Sequence, residues 1–474
     1  MYTPPAGGFF EAFPKSFWEK IFEDAIMSRE QEPVDAVLPW SQMLLFGLQH
    51  VLVMAAVPIT SVFLVAKALD LSAALTVNLI SATFLLCGLG SLLQSLGPWK
   101  LGAKLPFMMV PGGAPVVMFL TIAQQRDLQT ASGAVILTAL FYFLVLPVFA
   151  RCLRFFPKIV IGTLLILVSV NLVKVYGGII AGKPGTPGFG DPANIGLAMA
   201  TIGFTVLFAR VFKGMLGQLS VLLGLVAGTL LAAALGLVDL AGVFSGPVLS
   251  APTLLPFGMP RFDLLATLPL LIFSVISMVE ATGQTMAVAE IVGKDVKPRE
   301  IVPRTIRGDA LMSLAGGLFG TSMIITSGEN VGIVRATNVR SRHVTAVAGL
   351  ILVAIALLAP LGRLANAIPA AVVGGTALVV FAIIGTIGID MLRRVELHQR
   401  SNMFILACAL TMGLLPIVVP GLYNQFPSTL QMVLGNGLAI GSLTAIVLNI
   451  VFHHLPSRHN HQEAAAAGQA PTAP

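Results

Sequence analysis

Apolar positions along this chain come in successive stretches of about 20 residues, each long enough to cross roughly 30 Å of hydrocarbon, divided by short joints rich in charge or in Gly and Pro. The segmentation predicts fourteen spans, beginning near Trp40, Ser72, Leu105, Gly133, Lys158, Asn194, Gly217, Thr267, Thr305, Glu329, Val344, Ile368, Asn402 and Thr429. The expected fold is an all-α polytopic membrane protein. Residues 1–38 form an N-terminal segment in which Phe13, Phe17, Trp18, Ile21 and Phe22 share one helical stripe, predicting an amphipathic helix that lies on the membrane or packs on the protein. It shows no charged start, apolar run and cleavage site, so no removable signal peptide is expected. Residues 455–474 lack periodicity and read as a disordered tail.

Composition agrees: 10% of residues are charged and mean hydropathy is +0.91, where a soluble domain carries about a quarter charged residues. The net charge of +7 changes the picture only through its distribution. With fourteen spans, one side of the membrane holds 22 of the 28 Lys and Arg residues, including Lys100, Lys104, Arg151, Arg299, Arg342 and Arg394, and the other only Lys67, Arg126, Lys174, Lys183, Arg261 and Arg363. The positive-inside rule then puts both termini in the cytoplasm of a bacterial inner membrane. The basic residues are a topology signal and not a nucleic-acid surface. Cys87, Cys152 and Cys408 lie in or beside apolar segments without metal or disulfide spacing, and no cofactor is called for.

Two segments break. In span 3, Pro111, Gly112, Gly113, Ala114 and Pro115 stop an α-helix; in span 10, the β-branched run Ile324, Ile325 and Thr326 leads into Ser327 and Gly328, a short extended piece feeding a half-helix. Non-helical backbone at membrane depth must be buried in protein or line a cavity. The breaks are seven spans apart, an odd displacement that inverts orientation, so the chain reads as two inverted repeats, residues 40–237 and 265–453. Interrupted segments at matching positions point to a transporter's binding site.

Acids inside spans are costly and mark substrate or proton routes. They are Glu280, Glu329 and Asp309, the last near enough to Arg304 and Arg307 for a local ion pair to explain it equally well. Gln49 and His50 form a polar pair midway along span 1, either functional or interhelical hydrogen-bonding glue. Asn330 is expected to cap the span 10 half-helix. No nucleophile and base pair, Walker motif or metal spacing appears, so the chain does not read as an enzyme.

The stretch ENVGIVRAT, Glu329 to Thr337, resembles the signature of the nucleobase–ascorbate transporter family (Gln, Glu or Pro, then Asn, one free position, Gly, four free positions, Thr, and Arg, Lys or Gly) through Glu329, Asn330, Gly332 and Thr337. The likeness extends through GLQH in span 1, LISATFLLCGLGSLLQ in span 2, MVEATG in span 8, RGDALMSLAGGLFGT and IPAAVVGGTALVVF. It implies a core domain from spans 1–4 and 8–11, a gate domain from spans 5–7 and 12–14, a homodimer, and nucleobase uptake coupled to protons or, in some members, sodium. By motif position it implies that Glu280, Glu329, Gly328, Gly113 and Ala114 bind substrate, with Gln49, His50, Asp309, Asn330 and Gln284 in support or in proton coupling. The chain departs from the family at Asn338, at Gln284 where many relatives carry aspartate, and at Gly113 where an aromatic is common. That missing ring leaves room for a larger ligand and leans the reading toward xanthine or urate over uracil. The rival readings are an anion exchanger or channel of related architecture, and a nucleobase sensor.

Overall fold

The computed structural model describes residues 33–149, 157–182, 188–213, 216–217, 219–238, 243, 247–427, 430–431 and 434–455. The predicted N-terminal amphipathic helix, Cys152 and the C-terminal tail lie outside the described residues. The elements in chain order are α1 (Trp40–Met54), α2 (Ala56–Ala68), α3 (Ala73–Leu96), β1 (Met109–Pro111), α4 (Gly113–Gln125), α5 (Leu128–Val145), α6 (Lys158–Ala181), α7 (Pro192–Val211), α8 (Ser220–Ala234), α9 (Leu264–Val292), α10 (Pro298–Leu318), β2 (Ile324–Thr326), α11 (Gly328–Thr337), α12 (Arg342–Leu357), α13 (Ala359–Asn366), α14 (Ala370–Arg393), α15 (Arg400–Val418) and α16 (Gly437–His453).

Every predicted segment carries a helix or half-helix, and among the described residues eight helical stretches are long and apolar enough to cross a membrane, α1 and α2 counted together. Span 1, expected as one helix, is interrupted at Ala55. The cause is Pro58, which has no N–H and whose ring crowds the carbonyl four residues back, at Met54. The last segment was expected from Thr429, but α16 begins at Gly437, where Asn436 accepts from the Leu438 and Ala439 amides.

The chain forms two compact units, Met1–Ala150 with Val168–Ile384, and Arg151–Leu167 with Gly385–Pro474. In the first, α12 packs between α1 and α3. A Cβ on Gly88 would stand 2.7 Å from the Gly349 carbonyl oxygen, and one on Gly349 2.7 Å from that of Gly88, so backbones touch where only glycine fits, as small-residue helix crossings in lipid require. Gly349→Val is expected to cost about 1–3 kcal/mol through overpacking, read as a lower melting temperature in detergent. Gly203→Ala on α7, where nothing lies within 4 Å, is expected to leave that temperature unchanged or raised. Tyr176 on α6 stacks on Phe381 of α14 at 5.3 Å and donates to the Thr60 carbonyl at 3.0 Å.

In the second unit α15 and α16 pair, with Phe404 stacked on Phe452 at 6.3 Å and Asn402 bonded to His453 at 3.1 Å.

Between α3 and β1 the chain turns sharply. Gly97, Trp99, Lys100, Gly102 and Lys104 all have positive φ, and for the three that are not glycine this costs about 1–2 kcal/mol each. The bend is pinned to the last turn of α3: the Lys104 amide donates to the Gln94 carbonyl at 2.9 Å and the Ala103 amide to the Gln94 side-chain oxygen at 3.1 Å. At the start of α12, the Arg342 guanidinium donates to Asp35 and to the Ser95 carbonyl, while its amide donates to the Val34 carbonyl. Partial burial pulls the Asp35 carboxyl up, and the Arg342 hydrogen bond and charge pull it further down, leaving it below the usual carboxylate range.

Candidate functional site

The two breaks meet. β1 and β2 pair antiparallel, with Met109 opposite Thr326, Val110 opposite Ile325 and Pro111 opposite Ile324. The Gly112 amide bonds the Met323 carbonyl at 3.1 Å and the Ser327 amide the Met108 carbonyl at 3.0 Å, closing both ends of the ribbon. By alternation, Met109, Pro111, Ile324 and Thr326 turn their backbone groups outward. An open strand edge has no partner in lipid, so the neighbouring helices must supply one. Ser91 of α3 accepts from the Met109 amide at 3.0 Å, Asp309 of α10 accepts from the Thr326 amide at 3.1 Å, and Ser313 of α10 donates to the Ile324 carbonyl at 3.1 Å. Pro111 has no N–H to satisfy, and its register makes that harmless.

Each strand runs directly into a half-helix: Gly112 precedes α4 and Ser327 precedes α11, and neither start has a side-chain cap. First-turn N–H groups therefore face whatever fills the site, with the positive end of the helix dipole behind them. Gly113 and Ala114 lie in the first turn of α4, Ala114 buried. Gly328 opens α11 and is exposed after a fully buried β2. Glu329 follows it in the same turn; its side chain lies outside the described residues.

Long helix α9 packs on α4, β2 and α11. It carries Glu280, half-buried and without a hydrogen bond or ion pair among the described residues, and one turn on Gln284. A Cβ on Gly328 would meet the Gln284 amide nitrogen at 3.0 Å, so the Gln284 side chain lies against the start of α11. Its Oε1 is buried with no partner among the described residues. A carboxylate and an amide oxygen that can accept, beside helix-start amides that can donate, suit a planar ligand bearing N–H and C=O groups side by side.

Asn330 does not cap α11. It sits at the third helical position and its amide nitrogen donates to the Pro106 carbonyl at 2.6 Å, while its oxygen meets His50 Nδ1 at 2.8 Å. A carbonyl can only accept, so the Pro106 bond orients the Asn330 amide, and His50 Nδ1 must then carry the hydrogen. Gln49 beside it is also buried on α1. Asp309 likewise makes no ion pair with Arg304 or Arg307 among the described residues. Its Oδ1 accepts from the Thr326 hydroxyl at 2.5 Å, the Thr326 amide, and Gln94 Nε2 at 3.2 Å. Local spacing to the arginines misleads because α10 turns Asp309 inward, 1% exposed, toward β2.

Gln94, Ser91 and Ser313 were not foreseen as site residues; their local signal was polarity in apolar company, while Thr326 was read only as part of the β-branched break.

The chain matches the Xan_ur_permease model, a permease family, over residues 41–422. It is 33% identical over 411 residues to the uric acid permease PucK of Bacillus subtilis, covering 87% of this chain and 95% of that protein. It is 31% identical over 429 residues to the uric acid transporter UacT of Escherichia coli, covering 90% and 89%, and 30% identical over 414 residues to the xanthine permease of Bacillus subtilis, covering 87% and 94%. Among solved structures, the transmembrane domain of the cyanobacterial bicarbonate transporter BicA aligns with TM-score 0.54 at 17% identity, covering 86% of this chain and 97% of that one. The murine anion transporter Slc26a9 aligns with TM-score 0.57 at 15% identity, covering 93% and 72%.

Proposed function

Because the chain belongs to the permease family of the Xan_ur_permease model, we propose that it is a secondary active transporter that takes up a nucleobase, a purine such as urate or xanthine in preference to uracil, with protons moving in the same direction. The observation that carries this is the uncommitted Glu280 carboxylate on a helix packed against both half-helix starts. Glu280 and Glu329 accept the ligand's N–H groups, and the amides at Gly328, Gly113 and Ala114 donate to its carbonyls. Gln284 contributes an acceptor where relatives carry aspartate, so proton coupling falls to the two glutamates, with His50, Asn330, Gln49 and Asp309 holding the surrounding backbone. Purine relatives at about 30% identity over most of the chain support the ligand class.

The fourteen spans then form two inverted repeats, residues 40–237 and 265–453, with a core moving against a gate. The protein works as a homodimer in the bacterial inner membrane with both termini cytoplasmic. The fold is shared with anion transporters, which favours one rival reading, an inorganic anion exchanger held by the half-helix dipoles; two glutamates at the site disfavour it. Uptake of labelled urate, xanthine, uracil, sulfate and bicarbonate into proteoliposomes decides between them under imposed proton or sodium gradients. Purine accumulation driven by an inward proton gradient is the expected result. Sulfate or bicarbonate uptake without purine uptake would overturn the reading, and accumulation that follows sodium alone would replace the coupling ion.

A further inference from the structure

We propose that Gln94 is a positioning residue for the transport site, acting on β2 and the start of α11 through Asp309. This rests on the transport reading above for its functional half.

Gln94 lies in the last turn of α3, wholly buried, and uses both ends of its amide. Nε2 donates to the Thr305 carbonyl at 2.9 Å and to Asp309 Oδ1 at 3.2 Å, with the Thr326 hydroxyl at 3.5 Å. Oε1 accepts the Ala103 amide at 3.1 Å. One side chain thus joins α3, the left-handed bend before β1, α10 and the outer edge of β2. Asp309 Oδ1, which it contacts, is the atom that satisfies the outward Thr326 amide, two residues before α11 begins.

Two glycines are shaped to it. A Cβ on Gly308 would fall 2.5 Å from Gln94 Nε2, so the residue beside Asp309 leaves the notch the amide occupies. A Cβ on Gly102, at φ +141°, would stand 3.0 Å from the Gln94 Cα and clash with the Leu93 carbonyl, so glycine there lets the bend press onto this turn. An amide donates to a carboxylate at one end while accepting from a backbone N–H at the other, as a protonated carboxyl can; an ionised carboxylate accepts at both, and a hydrocarbon does neither. Of the charged or titratable residues, Asp309 on α10 contacts it, Lys104 in the bend bonds its carbonyl through the backbone amide, Arg342 bonds the adjacent Ser95 carbonyl, and Tyr142 on α5 feels the Asp309 charge.

The test uses Gln94→Glu, which keeps shape and volume and can donate to Asp309 only when protonated. In full-length protein in proteoliposomes, uptake of labelled urate or xanthine by this variant is expected within about threefold of wild type at pH 5.5 and at least tenfold below it at pH 8. Gln94→Leu is expected to raise KM at least fivefold at both pH values. Amide hydrogen exchange over residues 320–330 without substrate supplies a readout independent of transport: relative to wild type at the same pH, Gln94→Glu should exchange at least tenfold faster at pH 8 and normally at pH 5.5. If the variant's uptake and exchange both parallel wild type across this range, or are lowered equally at both ends, the positioning role is wrong. A wild type that carries no nucleobase, with the exchange change present, counts against the transport reading and leaves the positioning of β2 supported.

Discussion

Glu280→Gln lowers purine uptake by about a hundredfold in the expected outcome, with KM and maximal rate both affected and the amount of protein in the membrane unchanged. The carboxylate is uncommitted among the described residues, so nothing in the fold depends on it and its removal leaves packing intact. Glutamine keeps one acceptor oxygen and replaces the other with a donor. That NH₂ then faces the ligand's own N–H, so one hydrogen bond to a charged group is lost and a repulsive pair is created. Bonds of that kind are worth about 1.5–3 kcal/mol net, and a hundredfold loss corresponds to about 2.8 kcal/mol. Glu290, exposed three turns further along α9, is the matched control, and Glu290→Gln should transport normally. Initial rates of labelled urate or xanthine uptake check both; an unimpaired Glu280→Gln would remove this residue from the site.

Asn330→Ala is expected to act on stability as well as on transport. The change leaves two buried groups unpaired, the Pro106 carbonyl and the His50 Nδ1–H. Each such group costs about 1–3 kcal/mol, so a loss of about 2–6 kcal/mol follows, seen as a lower melting temperature and reduced recovery of purified protein. Asn330→Asp separates the two bonds. It still accepts from His50 and no longer donates to Pro106, and it should fall between wild type and alanine in melting temperature. Were Asn330→Ala as stable as wild type, the bridge would be shown to contribute nothing and His50 would need another explanation.

Both breaks were legible because their causes are local: proline and glycine end a helix wherever they stand, and Ile324, Ile325 and Thr326 are a β-branched run inside an apolar segment. The partner of each extended piece was not legible, since Met109 and Thr326 are joined only through space. The same limit explains Asn330 and Asp309. Asn330 looked like a cap because it follows the half-helix start closely, and a local ion pair was one of two readings of Asp309 because Arg307 is two residues away; both instead serve backbone more distant in the sequence, Pro106 for one and Thr326 for the other. Gln94 shows the gap most clearly: its polarity in SLLQSL was visible, and its four partners lie on three separate stretches of chain. The Ala55 interruption is different in kind. Pro58 announces it, but the apolar and small residues that surround that proline in α2 read as an unbroken span.

The antiparallel ribbon also has a consequence for how the protein is made. Its two strands are over 200 residues apart in the chain. At about 5–20 residues per second of synthesis, β1 emerges roughly 10 to 40 seconds before β2 exists to pair with it. For that interval the first half of the chain holds a strand whose β2 partner does not yet exist. Ser91 on the preceding helix is already in place to take the Met109 amide, and proline at position 111 leaves one donor fewer to shelter. The remaining groups need a polar groove in the insertion machinery, or a delay in moving this segment into lipid, until the second half arrives. Transport competence is therefore acquired late in translation, after α10 and β2 have left the ribosome.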